Sequence, residues 1–217
     1  MATQQEVEAG QAVYSKSVLA LYDWWVLGFS NRLLWRCPTK LLRSEFSELA
    51  SDNHLDVGVG TGYYPDKCLS NSYQRLGLLD LNANSLAVAA KRCERFQPEQ
   101  LQANVLEPLS IGCDKFDSVS FNFLLHCLPG NITEKASTFA HVKSLLNPDA
   151  QVFGSTILGT GVKPNKAAKK LMSLYNKKGI FSNSEDNVDD LGHALNQHFK
   201  DVSLRVIGCV AIFRAIV

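Results

Sequence analysis

The sequence predicts an α/β fold: a mostly parallel sheet of seven strands, helices on both faces, and a helical N-terminal cap. Three observations carry that expectation. Between residues 54 and 158, short apolar runs alternate with amphipathic stretches, the pattern of strands joined by right-handed helical crossovers. The first run, His54-Leu55-Asp56-Val57-Gly58, enters a loop with glycine at 58, 60 and 62. The chain ends in two more apolar runs around Gly208 that read as an antiparallel pair.

Each element follows from local chemistry. Residues 13–35 are amphipathic and rich in aromatics, which predicts one or two helices, broken near Gly28 and ended before Cys37-Pro38. A helix over residues 39–50 follows. Strand 54–58 leads to a helix from about Pro65, a good first-turn residue. Strand 75–80 leads to a helix over 84–96, with Asn82 or Asn84 as cap. Residues 100–104 form a weaker third strand. Strand 116–123 precedes a helix over 133–146, capped by Thr133 and stopped by Asn147-Pro148. Strand 150–158 follows, then a basic helix over 165–176, a helix ending at His198, and strands 202–206 and 210–217. One domain is expected over residues 1–217, divided into a cap (1–50), a core (51–158) and an insert with closing hairpin (159–217).

Composition narrows the class. At 217 residues the chain is long enough for one well-buried domain, and 46% hydrophobic residues argue for a globular core. With 22 basic and 21 acidic residues the net charge is +1, so no overall field draws the protein to nucleic acid or to an anionic membrane. The six cysteines form no C-x-x-C pair and have no histidine at ligand spacing, so no metal is expected. They fit a reduced, cytoplasmic setting. The N-terminus is polar rather than a signal peptide, and no apolar run approaches the roughly 20 residues of a membrane span.

The glycine loop carries the chemistry. Glycine lets backbone turn tightly or approach a ligand closely, and a loop at the C-terminal end of a strand is where open α/β sheets bind nucleotides. A dinucleotide fingerprint, G-x-G-x-x-G, would need glycine at 63, where the chain has Tyr63. The pattern here is D-x-G-x-G-x-G. It resembles the first motif of class I S-adenosylmethionine-dependent methyltransferases. The second strand, Leu76-Gly77-Leu78-Leu79-Asp80, ends in a carboxylate, and Phe116 to His126 is similar to the family's fourth strand and active-site segment. These elements keep the family's order over roughly residues 50–155, about half the chain.

The resemblance implies a Rossmann-like class I methyltransferase fold, a S-adenosylmethionine cofactor with S-adenosylhomocysteine as product, and a set of site residues. Asp56, Gly58, Gly60, Thr61 and Gly62 would meet the donor's methionine and ribose portions. Asp80 would accept from the ribose hydroxyls, flanked by Leu81 and Asn82. Asn104 and Val105 stand where relatives bind adenine, and relatives often have aspartate in place of Asn104. Asn122 and Phe123 follow the fourth strand. His126 is the candidate base or acceptor-orienting group, since histidine titrates near neutrality. Tyr14, the second catalytic candidate beside His126, would close the donor site, and Tyr22, Trp24 and Trp25 would wall an acceptor pocket or pack the cap.

The methyl acceptor is less legible. The Asn/Asp-Pro-Pro-Tyr/Phe motif of amino-methylating enzymes for nucleic acid or protein is replaced by Asn122-Phe123-Leu124-Leu125. A small, partly apolar metabolite, methylated on oxygen or nitrogen, is expected. The alternatives are a protein, carrier-bound or RNA acceptor, for which the lysines between 163 and 178 would speak, and a non-catalytic donor-binding protein. A monomer or homodimer is expected.

Overall fold

The structure is a computed structural model that describes residues 30–70, 72 and 74–217. Expectations for residues 1–29, including Tyr14, Tyr22, Trp24, Trp25 and the break at Gly28, lie outside the described residues. Residues 30–34 form a π-helical turn. Then follow α1 (Thr39–Leu49), β1 (Asn53–Val57), α2 (Tyr63–Cys68), β2 (Arg75–Asp80), α3 (Ala83–Arg92) and β3 (Glu99–Gln102). Next come β4 (Phe116–Asn122), α4 (Ile132–Lys135), α5 (Ser137–Lys143), β5 (Leu146–Ile157), α6 (Lys166–Lys177), α7 (Val188–His198), β6 (Lys200–Ile207) and β7 (Val210–Ile216).

The seven strands form one sheet in the order β3-β2-β1-β4-β5-β7-β6. The first five run parallel, and β7 pairs antiparallel with both β5 and β6. Strand order reverses between β1 and β4, the switch point at which such sheets open a crevice beyond their C-terminal ends.

Both faces of the central strands β1, β2, β4 and β7 are covered, so both sets of their alternating side chains are largely buried. One face packs Leu55, Val57, Val119 and Phe121 against Phe139, Val142, Leu191 and Leu195 of α5 and α7. The other packs Leu76, Leu78, Phe153 and Ile212 against Leu42 and Phe46 of α1, Leu86 and Ala89 of α3, and Met172 of α6. His54, Asp56, Ser118 and Ser120 belong by alternation to this second face, buried yet polar.

Three local expectations are corrected. The cap at the start of α4 is Asn131, not Thr133: its Oδ1 accepts from the N–H groups of Thr133 and Glu134, and Glu134 reaches back to the Asn131 N–H at 2.8 Å. The helix expected over 133–146 divides into α4 and α5. Strand β5 begins at Leu146 rather than after Pro148. Leu146 pairs with Phe116, the register then shifts, and Asp149, at φ 62°, lies in the bulge before Gln151 pairs with Ser118.

The chain's early described segment is clipped by its last hairpin. Trp35 is 2% exposed, packs against Phe181 at 6.1 Å and accepts the Cys209 N–H at 2.8 Å. A Cβ on Gly208 would come within 2.2 Å of the Trp35 carbonyl oxygen, so the contact requires glycine.

Candidate functional site

A cavity opens beyond the C-terminal ends of β1, β2, β3 and β4. It is lined by Asp56, Gly58, Gly60 and Thr61, by Asp80, Leu81 and Asn82, by Asn104, Val105 and Leu106, and by Asn122, Phe123 and Leu124. The three sequence-predicted segments therefore converge on one crevice. Gly62, expected in the same set, is a neighbour behind this wall: at φ 71° its Cβ would meet the Ala89 Cα at 2.9 Å, so it lets α2 and α3 close up. Gly60, at φ 52°, faces open space, and any side chain there would enter the cavity.

Asp80 ends β2. Burial pushes its carboxyl up to about 6, opposed by the backbone N–H groups of Asn82, Val59, Gly60 and Leu81. The Asn82 N–H donates to Asp80 Oδ1 at 2.8 Å. The Asn82 side chain does different work. Its Oδ1 accepts from the Asn84 and Ser85 N–H groups and caps α3.

Asp56 ends in the same crevice from β1, 5% exposed. Burial raises its carboxyl to about 7, the Ser120 hydroxyl lowers it, and the Asp80 charge raises it further. Ser120 Oγ donates to Asp56 Oδ1 at 2.5 Å. Thr61 is buried and accepts from the Arg92 guanidinium at 3.1 Å, which ties the glycine loop to α3.

Asn104 is held locally: its Oδ1 accepts from the Leu106 N–H at 3.1 Å and its Nδ2 donates to Glu107 at 2.8 Å. The Val105 carbonyl accepts from His141 at 2.9 Å, which fixes this wall to α5. Asn122 accepts from the Ser155 hydroxyl at 3.0 Å, and its buried Nδ2 has no partner among the described residues. Phe123 sits at φ 56°, an unusual conformation for a bulky residue, with its N–H donating to the Ser155 carbonyl at 2.8 Å.

His126 is not brought to the cavity wall. It is 3% exposed, packed edge-on to Phe181 at 4.6 Å and to Phe123 at 5.9 Å. Burial, and secondarily the Lys135 charge, push it down to about 3. Its Nδ1 faces the Ile157 N–H and the Thr156 hydroxyl, both at 3.4 Å. An Nδ1 that accepts leaves the proton on Nε2. In this arrangement His126 presents Nε2–H as a donor. Tyr14, Tyr22, Trp24 and Trp25 lie outside the described residues.

Sequence reasoning missed Leu124 and Ser120. Leu124 packs on Gly58, where a Cβ would come within 2.7 Å of its Cδ1. Ser120 reads as an outward polar residue until both faces of the sheet are known to be covered. The lysines at 163, 166, 169, 170, 177 and 178 are exposed. Among the described residues no group of His, Cys, Asp or Glu could hold a metal ion, and no helix is long and apolar enough to cross a membrane.

The comparisons agree with this geometry. Residues 55–152 match the family model described as a methyltransferase domain. The chain is 44% identical over 211 residues to the physcion biosynthesis cluster O-methyltransferase of Aspergillus chevalieri, covering 96% of this chain and 95% of that one. It is 43% identical over 183 residues to the N-methyltransferase vrtF of Penicillium aethiopicum, covering 83% and 76%. The solved DhpI–SAH complex superimposes with a TM-score of 0.69 at 14% identity over 99% of this chain and 98% of that one, a likeness of fold. With the crevice, the sheet order and these relatives together, the chain belongs to the class I S-adenosylmethionine-dependent methyltransferases.

Proposed function

We propose that this methyltransferase moves a methyl group from S-adenosylmethionine to an oxygen or nitrogen of a small, partly apolar metabolite. The observation that carries the reading is the convergence of Gly60, Asp80 and Asn122 on one crevice. The residues present fit the donor. Gly60 leaves open space for close approach, Asp80 offers an acceptor for two hydroxyls, and Asn122 offers an unpartnered buried donor. When bound, the cofactor supplies a methyl group on a positively charged sulfur that departs as a neutral thioether.

The protein's share is placement and charge. Asp80 would hold the sugar and the glycine loop would admit the donor's backbone-facing edge, with Leu81 and Val105 flanking the base. Asp56 would offset the donor's positive amino end. Fixing donor and acceptor in line can supply roughly 7–11 kcal/mol of barrier reduction. On the acceptor side, Phe123 lines the crevice, and His126, packed edge-on against both Phe123 and Phe181, would hold that ring in place from behind. Tyr14, Tyr22, Trp24 and Trp25 are proposed to complete the closure. Six free cysteines suit a reducing cytoplasm, and a single domain that works as monomer or homodimer without a metal completes the reading.

The test is transfer of labelled methyl from S-adenosylmethionine in a cell extract, followed by fractionation. Label in organic-extractable small molecules supports the proposal. Label in protein or RNA favours a macromolecular acceptor met by the exposed lysines of α6, and donor binding without transfer favours a non-catalytic role.

A further inference from the structure

Behind Asp56 runs a buried chain of hydroxyls and one imidazole. Strands β1 and β4 pair in parallel with His54 opposite Ser118 and Asp56 opposite Ser120. All four side chains share one face of the sheet by the two-residue period. Ser120 Oγ meets Asp56 Oδ1 at 2.5 Å, His54 Nε2 meets Ser120 Oγ at 3.0 Å, and His54 Nδ1 meets Ser118 Oγ at 2.7 Å. Ser118 Oγ in turn meets the Ser51 hydroxyl at 2.8 Å and the Ser51 N–H at 2.9 Å, and the Ser51 hydroxyl reaches the Asn53 carbonyl at 3.0 Å. His54, Ser118 and Ser120 are fully buried, whereas Ser51 is half-buried at the far end. Around the imidazole stand Phe46, edge-on at 5.0 Å, and Phe153, stacked at 5.6 Å.

We propose that His54 is a positioning residue for the cofactor site: through Ser120 it sets the charge and aim of Asp56, and its tautomer changes whenever Asp56 gains or loses a proton. The inference rests on the reading of the 58–62 loop as the donor site.

The chain has two complete settings. With Asp56 ionised, Ser120 donates to Asp56, His54 donates from Nε2 to Ser120, and Ser118 donates to Nδ1. With Asp56 protonated, Asp56 donates to Ser120, Ser120 to Nε2, Nδ1–H to Ser118, and Ser118 to Ser51, whose hydroxyl ends on the Asn53 carbonyl. Passing from the second setting to the first balances proton by proton. Asp56 yields one to Ser120, Ser120 yields one to Nε2, and Nδ1 yields one to Ser118. Ser118 yields one to Ser51, and Ser51 releases one to water. The imidazole is singly protonated throughout. Burial holds it there by pushing its protonation down to about 3.

No buried polar group is left over in either setting, so the strand pair can host both without the cost of an unpaired donor. A cation beside Asp56 favours the first setting. The other charged or titratable groups that feel Asp56 are Asp80 on β2, Cys68 on α2 and Cys93 after α3, none of which is a link in the chain.

Nitrogen NMR of the imidazole rings tests the relay directly. In the ligand-free protein, His54 should pass from Nδ1–H near about pH 5 to Nε2–H near about pH 8.5 as Asp56 ionises. S-adenosylhomocysteine added at about pH 6 should drive it to Nε2–H, and Ser120→Ala should uncouple the ring from pH. A single unchanging tautomer overturns the proposal.

Calorimetry with S-adenosylhomocysteine gives the energetic test. His54→Leu should raise the pH midpoint of binding by about one unit and weaken binding roughly fivefold at neutral pH, because the hydrogen bond that favours ionised Asp56 is lost. His54→Gln, which restores an amide donor towards Ser120, should recover most of that shift. An unmoved midpoint in His54→Leu, or no recovery in His54→Gln, overturns the relay. If the wild-type protein binds no S-adenosylhomocysteine, the donor-site reading fails, while the ring titration of the ligand-free protein still decides the relay.

Discussion

The two halves of the sheet handle polarity in opposite ways. The half from β1 to β4 with its loops buries two carboxyls in the crevice: burial raises Asp56 to about 7 and Asp80 to about 6, and backbone N–H groups and the Ser120 hydroxyl oppose the rise. The half that follows β4 seals charge away. Lys135 and Asp186 meet at 2.6 Å with each 1% exposed at the side chain, and Lys135 also donates to the Ser182 carbonyl at 2.5 Å. Burial pushes Lys135 down and Asp186 up, and each one's charge opposes the other's shift. The Asp186 carbonyl takes the N–H groups of Gly159 and Thr160, so one ion pair staples the excursion between β5 and α7 to α4. The difference teaches that, among the described residues, the crevice leaves its carboxyls without a cation to pair with, whereas the region after β4 pairs its buried charges to hold shape.

Substitutions can break or sharpen that contrast. The largest effect belongs to the staple. Lys135→Met leaves Asp186 buried and unpaired and should cost about 3–5 kcal/mol of stability in denaturant unfolding. Donor affinity of the folded fraction should hardly change; a large loss of affinity there would merge the two halves energetically. Next comes Asp80→Ala, which should weaken S-adenosylmethionine binding by about 2 kcal/mol, roughly thirtyfold by calorimetry, without moving the melting temperature downward. Affinity like that of the wild type would remove Asp80 from the site.

A pH series is the third probe. Both carboxyls are raised on folding, so they favour the ligand-free fold most below the ordinary carboxylate pKa, and that contribution is lost as pH rises through about 6 for Asp80 and about 7 for Asp56. Donor binding needs the ionised forms and should run the other way. Affinity should fall by up to about tenfold per pH unit per group once pH drops below these values. A flat profile between about pH 5 and pH 8 would show that the donor half does not titrate on binding. The smallest effect is expected for His126→Gln. Loss of the ring packed against Phe123 and Phe181 should lower kcat/KM about fivefold while leaving S-adenosylhomocysteine affinity unchanged. A fall in that affinity would instead assign His126 to the donor half.

The donor half was largely legible in the sequence because its signals are local. Asp56, the glycines and Asp80 each sit at the end of a strand whose apolar run announces it, and parallel pairing with helical crossovers follows from the alternation, whereas the strand order does not. The chain from Ser51 to Asp56 was not legible. Its partners on β4 are defined by a parallel register between segments some sixty residues apart, as in the pairing of His54 with Ser118. The Lys135–Asp186 pair is hidden for the same reason. The Asn131 cap was written in Asn131-Ile132-Thr133-Glu134, a pattern that a reading focused on Thr133 passed over. The role of His126 depended on which ring nitrogen meets the Ile157 N–H, a fact of tertiary geometry.

The clip between Trp35 and the turn at Gly208 and Cys209 has a consequence for biosynthesis. Trp35 leaves the ribosome well before Cys209, whose backbone N–H donates to the Trp35 carbonyl. While translation continues, this indole has no finished berth, and only completion of the β6–β7 turn seats it. A nascent chain stalled before Gly208 should therefore expose Trp35 to quenchers or proteases, and release of the full chain should shield it.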